Sequence, residues 1–264
     1  MRILFIGDIF ARPGRDTVKE LLPGVLDEHK PHMVIANGEN LSHGNGISPD
    51  NAEDMRRAGI NFFTTGNHIW GNKDGVMKLN DPKFPVIRPA NFPSTKTPGR
   101  GYEIIEDGMM NKILVVNMMG RVFMREDLDC PFRTMERILE ETTYENVQAI
   151  FVDFHAEATS EKSAFAHHFD GKVSAVVGTH THVQTADEKI LDGGTAFISD
   201  VGMTGSMDSV IGVNKDLMIN KFITQLPSKF DPEMDGEMAL NAVLIEVDEK
   251  SKKALSIQRI QVFN

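Results

Sequence analysis

An α/β fold with a largely parallel sheet is what this sequence predicts, on two observations. Apolar runs rich in Val, Ile and Phe alternate with stretches of helical period along the 264 residues, the pattern that βαβ units produce. Five of those runs stop on residues able to bind a metal or move a proton: Asp8, Glu39 with Asn40, Asn67 with His68, His155, and His180 with His182. In an open α/β sheet, ligands bind in the crevice outside the carboxyl ends of the strands, so one fold can bring the five endings together.

Taken in chain order, strands are predicted at residues 2–7, 33–36, 62–65, 113–117, 149–154, 175–178 and 195–199. Two more, 242–247 and 254–262, joined by the charged turn 248–253, read as an antiparallel hairpin. A helix at 16–28 has Val18, Leu21, Leu22, Val25 and Leu26 on one side. Pro23-Gly24 is expected to kink or split it, because proline removes a backbone donor and clashes with the preceding turn. Further helices are predicted at 49–58, 131–141, 160–168 and 214–225. Pro131 suits a first helical turn, where its missing N–H costs nothing. Residues 80–100, with five prolines, and 226–237 read as irregular. No internal repeat, low-complexity tract or dividing linker is visible, so residues 1–264 are read as a single domain. Helices and a second sheet layer would flank its central sheet.

Composition excludes several function classes. A hydrophobic share of 41% and a charged share of 25% are ordinary for a soluble globular protein. A formal net charge of -10 gives no general basic surface, so stable binding of long nucleic acid is not expected. Affinity for a phosphate compound must then come mainly from bound cations. Cys130 is the sole cysteine, which excludes an intrachain disulfide and a cysteine-based zinc cluster and fits a reducing cytoplasm. The apolar residues 3–6 are too short for a signal-peptide core, and no run approaches a membrane span. The predicted location is cytoplasmic, with no membrane partner.

Each strand ending offers a donor. Asp8 follows Gly7, which lets the backbone turn tightly and leaves the carboxylate at the strand tip; an isolated aspartate there is more often a turn or helix cap. Glu39-Asn40 offers a carboxylate and an amide oxygen side by side, and a carboxylate has two oxygens with which to bridge two cations. Gly66-Asn67-His68 places an amide oxygen and an imidazole directly after an apolar run, where a turn with an exposed histidine competes. His155 ends a run broken only by Asp153. The alternate spacing of His180 and His182 puts both imidazoles on one side of an extended chain, about 7 Å apart.

Joint occurrence decides among these readings, because independent accidents would not place every candidate at the same kind of position. Nitrogen and oxygen donors without thiolate favour iron, manganese, zinc or cobalt over magnesium. The other histidines, His29, His32, His167 and His168, fall in helical or helix-end contexts that suit the surface. His43 differs, lying in the glycine-bordered loop 42–46 where it is a candidate to touch substrate.

In this order Gly7-Asp8, Gly38-Glu39-Asn40, Gly66-Asn67-His68, His155 and Gly178-Thr179-His180-Thr181-His182 resemble the calcineurin-like metallophosphoesterases, and more closely their YmdB-like branch. The likeness extends from the first strand through Gly205 to the end of the chain. The superfamily's usual Asp-x-His is here Asp8-Ile9-Phe10, and its bridging aspartate is Glu39, as the YmdB-like branch shows. The resemblance implies a metallophosphoesterase sandwich of α/β/β/α layers. It implies that Asp8, Asn40 and His182 hold one ion, that Asn67, His155 and His180 hold a second, and that Glu39 bridges them. It names His68 as proton donor, and His68 cannot easily ligate beside its neighbour Asn67. Two divalent or mixed-valence ions, Fe or Mn with Zn as the other candidate, about 3.5 to 4 Å apart can activate a bridging hydroxide and clamp phosphoryl oxygens.

The implied reaction is hydrolysis of small phosphodiesters, in particular 2',3'-cyclic and also 3',5'-cyclic nucleotides. Two rivals remain open at this stage. Dinuclear sites also serve enzymes that cleave amides, and a regulatory protein could bind metal and nucleotide without turnover. The loop 120–130, with Arg121, Phe123 and Met124, either roofs the site or packs against the fold. Self-association into a homo-oligomer is a common solution that the sequence leaves open.

Overall fold

In a computed structural model, which describes residues 1–93, 96–108, 111–142 and 146–264, the apolar runs become strands of two sheets. Chain order is β1 (Arg2–Ile6), β2 (Asp8–Ile9), α1 (Ala11–His29), β3 (Met33–Asn37), α2 (Pro49–Arg57), β4 (Phe62–Thr64), a 3-10 turn (Asn67–Gly71) and α3 (Lys73–Lys78). There follow β5 (Tyr102–Glu106), β6 (Lys112–Met119), α4 (Pro131–Glu141), β7 (Ala149–His155), α5 (Thr159–His168), β8 (Ala175–Thr179), β9 (Lys189–Ile190) and β10 (Ala196–Ile198). The chain ends with β11 (Met203–Ser206), α6 (Lys215–Thr224), β12 (Met238–Val247) and β13 (Ala254–Phe263).

The first sheet runs β2-β11-β12-β1-β3-β4, with β13 also paired to β12, and the second runs β5-β6-β7-β8-β10-β9. Strand β1 shows why its sequence is apolar at every position. Ile3 and Phe5 face the second sheet, in a core shared with Ile35, Val115, Phe151 and Val177. Leu4 and Ile6 face the opposite way, toward Val18, Leu22, Val25 and Met55 of α1 and α2. A strand covered on both faces needs apolar residues at each position. On the far side, Leu114, Val116, Val152 and Phe154 pack against Met135 and Ile138 of α4, Phe165 of α5 and Phe169 just after it. Helices, sheet, sheet and helices therefore form the α/β/β/α sandwich that the sequence led us to expect.

Three expectations need correction. The sheets are mixed: β1, β3 and β4 are parallel, as are β6, β7, β8 and β10, but β12 runs antiparallel to β1, β11 and β13. Helix α1 starts at Ala11, not residue 16, and continues through Pro23 without splitting. Leu22 and Val25, on either side of the proline, are buried in the core, and that burial outweighs the roughly 3 kcal/mol an interior proline costs. Strands β5, β9 and β11 were not legible, being short or outside the strongly apolar runs. The hairpin β12–β13 forms as expected. Residues 80–93 and 96–100 of the proline-rich stretch form no helix or named strand, while 94 and 95 lie outside the described residues.

What matters for chemistry is the alignment of two parallel sets. The carboxyl ends of β1, β3 and β4 in one sheet and of β7 and β8 in the other carry Asp8, Glu39, Asn67, His155 and His180. Packing the sheets face to face brings these ends to one place.

Candidate metal centre

Glu39 lies at the middle of that place. Its carboxylate is buried; Oε2 is 3.3 Å from Nε2 of His155, and Oε1 is 3.1 Å from Nδ1 of His68. Nε2 of His155 is also 3.0 Å from Oδ1 of Asn67 and 3.1 Å from Nδ1 of His180. Donor atoms of Glu39, His155 and His180 all lie within 4.8 Å of one another, a group able to hold a metal ion.

A second cluster adjoins the first. His182 Nε2 is 3.2 Å from the Asn40 side-chain nitrogen and 3.9 Å from Oδ1 of Asp8. Asp8 Oδ2 accepts the backbone N–H of His180 at 3.3 Å, which ties the two clusters together. Its Oδ1 is buried with no hydrogen-bond partner among the described residues. A buried carboxylate oxygen left unpaired carries a large desolvation cost, and a cation between Asp8 and His182 would remove it. The nitrogen and oxygen donor set and this orphaned oxygen fit the divalent ions of metallophosphoesterase-type proteins.

Electrostatics point the same way. Burial pulls the His155 imidazole down, but the facing Glu39 carboxylate overrides it and lifts the pKa to about 9. Burial and the charge on His155 push His180 down to about 3. Burial alone would raise Glu39, yet the charge and hydrogen bonds of His155, with those of His68, hold it well below the usual carboxylate range. The Glu39 carboxylate thus favours positive charge beside it, at the point where His155 faces it.

Local sequence explains how such close approach is reached. A Cβ on Gly66 would collide with Oε2 of Glu39 and Nε2 of His155, so only glycine admits the turn from β4 to Asn67. Asn37 at the end of β3 accepts the Glu39 N–H at 3.0 Å and donates to Asp153 at 3.0 Å. Thr179 bonds Nδ1 of His155 at 2.9 Å and donates to Asp153 at 2.7 Å. The outer nitrogens of the other two imidazoles are held likewise, His180 Nε2 by Glu157 at 3.1 Å and His182 Nδ1 by the Ile211 carbonyl at 3.0 Å. Outer partners of this kind fix tautomer and ring orientation. Burial raises Asp153 to about 7 despite its hydroxyl partners.

All the sequence-predicted donors, Asp8, Glu39, Asn40, Asn67, His155, His180 and His182, converge here, and His68 stands beside them with its side chain 40% exposed. One local expectation fails: residues 180–182 are not extended, since His180 has φ of 102° and His182 has φ of 66°. Non-glycine residues there are strained, and the strain is held by Asp200. Its Oδ2 accepts the Thr181 N–H at 3.0 Å and the Lys162 ammonium at 2.8 Å, and its Oδ1 accepts the Gly202 N–H at 2.9 Å. Sequence reasoning passed over Asp200, although it too follows an apolar strand, and passed over Lys162 because a lysine on a helix reads as surface. His43 is exposed in its loop.

Both partners of the Lys162–Asp200 pair are 1% exposed. Lys162→Met is therefore expected to destabilise the fold by about 3–5 kcal/mol, because it leaves a buried carboxylate uncompensated. Denaturant unfolding measures this, and a loss below about 1 kcal/mol, the range of an exposed pair, would contradict the anchoring role.

Known proteins resemble this chain over nearly its whole length. The family model described as YmdB-like protein matches residues 4–260. A Bacillus subtilis (strain 168) protein named 2',3'-cyclic-nucleotide 2'-phosphodiesterase is 44% identical over 262 residues, covering 99% of this chain and 97% of its own. A solved structure titled as a novel phosphatase from Mycoplasma pneumoniae superposes with a TM-score of 0.90 at 33% identity, covering 100% of this chain and 93% of its own. A hypothetical protein from Thermus thermophilus gives a TM-score of 0.92 at 39% identity, with 100% of both chains covered. This chain belongs to the YmdB-like family.

Proposed function

We propose that the protein is a dinuclear metal-dependent phosphodiesterase that opens 2',3'-cyclic nucleotides. The observation that carries this reading is the convergence of six donors, from five strand ends, on a seventh, Glu39, with Asp8 Oδ1 left unpaired. The name of the Bacillus subtilis relative supplies the substrate class, and 3',5'-cyclic nucleotides are the second class that the reading covers. Asp8, Asn40 and His182 are assigned to one ion, and Asn67, His155 and His180 to the other. Glu39 lies between the two sets. When bound, two such cations activate water and neutralise the phosphoryl oxygens. We assign them as iron or manganese, with zinc the other candidate on donor chemistry.

The chain's own groups supply the proton. His68 Nδ1 faces Oδ1 of Asn40 at 2.8 Å and Glu39 at 3.1 Å. Burial would lower His68, but the hydrogen bond and charge of Glu39 raise it. Nδ1–H is thereby fixed inward, and Nε2 is free to give its proton to the leaving ribose oxygen. Cleavage at the 2' ester forms a bond from water oxygen to phosphorus and breaks the bond from phosphorus to O2'. The proton of His68 ends on O2', and the product is a 3'-phosphate.

We place this activity in a single cytoplasmic domain. No helix among the described residues is long and apolar enough to cross a membrane. The test is metal analysis of the purified protein coupled to a phosphodiester panel with and without chelator. About two transition-metal ions per chain and chelator-sensitive opening of 2',3'-cyclic nucleotides are expected. Turnover that is indifferent to chelation, or an amide substrate preferred over every phosphodiester, would overturn the reading.

A further inference from the structure

We propose that Arg121, Arg133 and Arg137 form a subsite for phosphate groups attached on the 5' side of the nucleotide being opened. The inference rests on the proposed reaction and deepens it, by naming which 2',3'-cyclic nucleotides are preferred.

The three arginines line one cavity of about 500 Å³ with Leu128, Asp129, Cys130 and Thr134. All three are exposed. Among the described residues none makes an ion pair, whereas most other arginines of this acidic chain do. On α4, Glu136 pairs with His168 instead, and among the described residues Arg137 makes no ion pair with Glu140 or Glu141 one turn on. Arg133 and Arg137 are four residues apart on one helix, and like charges at that spacing repel by a few tenths of a kcal/mol. A shared anion would relieve the repulsion, and guanidinium groups match phosphate oxygens in two-pronged geometry. Asp129 is the one carboxylate of the cavity, so positive charge prevails there. An adjoining cavity of about 250 Å³ shares Thr134 and Arg137 and adds Arg88 and Glu141. The Arg88 guanidinium is engaged by the carbonyls of Pro89 and Pro98, which leaves three arginines for a ligand.

Position links this cavity to the metal donors. Met119, the last residue of β6, pairs with His155, and the N–H of Gly120 donates to the His155 carbonyl at 3.0 Å. Arg121 follows at once, and its Cα lies within roughly 12 Å of that of His155 by chain and strand spacing. Glu161 accepts the N–H groups of Arg121 and Val122 at 3.0 Å, and Asn91 donates to the carbonyls of Met119 at 2.8 Å and Asp129 at 3.1 Å. Both ends of the loop between β6 and α4 are therefore fixed against the same end of the sheets. A net charge of -10 argues against a general basic surface but leaves room for a local patch such as this one.

Phosphates on the 5' side have two sources, the 5'-phosphate of a mononucleotide and the linkages of an oligoribonucleotide with a 2',3'-cyclic end. The test compares KM on the metal-loaded protein for 2',3'-cyclic AMP, the same compound carrying a 5'-phosphate, and a tetranucleotide with a 2',3'-cyclic end. A KM about tenfold lower for the phosphate-bearing substrates is expected, shrinking as salt rises. A gain complete with the 5'-phosphate supports the mononucleotide source, and a further gain with the tetranucleotide supports the oligonucleotide. In Arg133→Gln/Arg137→Gln the ratio should fall to about one. Arg56→Gln/Arg57→Gln, which removes the same charge from α2, should preserve it. Equal KM values in the unaltered protein, or a ratio that survives in the α4 variant, would overturn the proposal. Anisotropy of a labelled tetranucleotide ending in a 3'-phosphate repeats the comparison without turnover. Should hydrolysis fail altogether, the reaction assignment falls while this binding measurement still decides the subsite.

Discussion

Glu39→Gln should abolish hydrolysis of 2',3'-cyclic nucleotides, with a fall of at least about 10³-fold in kcat/KM, since groups that merely orient metal ligands are already worth ~10–100-fold. The substitution keeps the side chain's volume and removes its charge at the point where both donor sets meet. Oε2 accepts the His68 N–H at 3.1 Å and faces His155 at 3.3 Å, while Oε1 accepts from Asn40 at 3.3 Å. An amide turns one of these acceptors into a donor, and the pocket loses the negative charge that draws a cation. Bound metal should drop from about two ions toward one or none, with the far-ultraviolet dichroism unchanged. Because Glu39 charge is also what lifts His155 to about 9, the imidazole should give up its proton at lower pH in the metal-free variant, which nuclear magnetic resonance can follow. A variant that keeps both ions and full turnover would remove Glu39 from the centre.

The candidate donors were legible because each stands at a strand's carboxyl end after an apolar run. That signal concerns position along the chain and survives without three-dimensional information. The residues that hold the donors were not legible, since their roles depend on contacts between strands. Asp153 looked like an interruption in the run 149–154. In the structure it accepts from Thr64, Asn37 and Thr179, on three different strands, and thereby braces the turn to Glu39 and the ring of His155. Lys162 and Asp200 are 38 residues apart in the chain, a separation that no spacing rule connects.

The fold was legible where strands are buried on both faces and illegible where they are short. Strand β1 and its partner β3, and β7 and β8 of the second sheet, are largely apolar runs because helices cover one side and the other sheet the reverse. Strand β11, Met203–Ser206, contains Thr, Gly and Ser, and is a strand only because it pairs with both β2 and β12. Strand direction was misjudged for a related reason. The closing hairpin inserts β12 antiparallel beside β1, a long-range pairing that local alternation of strands and helices does not encode. The expected break at Pro23 failed because propensity counts single residues, whereas α1 buries a whole face against the sheet.

His68→Ala separates proton donation from metal binding. The side chain projects from the 3-10 turn after β4, 40% exposed, and its Nδ1 side faces Glu39 and Asn40. Removing it deletes no assigned ligand, so metal content should stay at that of the unaltered protein. On 2',3'-cyclic AMP the leaving group is a ribose alkoxide, which needs a proton, and kcat should fall by roughly 10²- to 10⁴-fold. An aryl phosphodiester such as bis(p-nitrophenyl) phosphate leaves as a stabilised phenolate, and its kcat should fall far less. The ratio of the two losses is the informative quantity, since a general disturbance of the metal centre would depress both substrates together. Equal losses with both ions retained would deny His68 the role of acid, and parallel loss of one ion would show that it supports the metal site instead. Asn40 provides a check on the second outcome. Its Oδ1 is 2.8 Å from His68 Nδ1 and its nitrogen is 3.2 Å from His182, so a His68 that mattered mainly for orienting this amide would be mimicked by Asn40→Ala. Proton donation predicts the opposite division: Asn40→Ala loses metal and depresses both substrates, while His68→Ala keeps metal and spares the aryl ester.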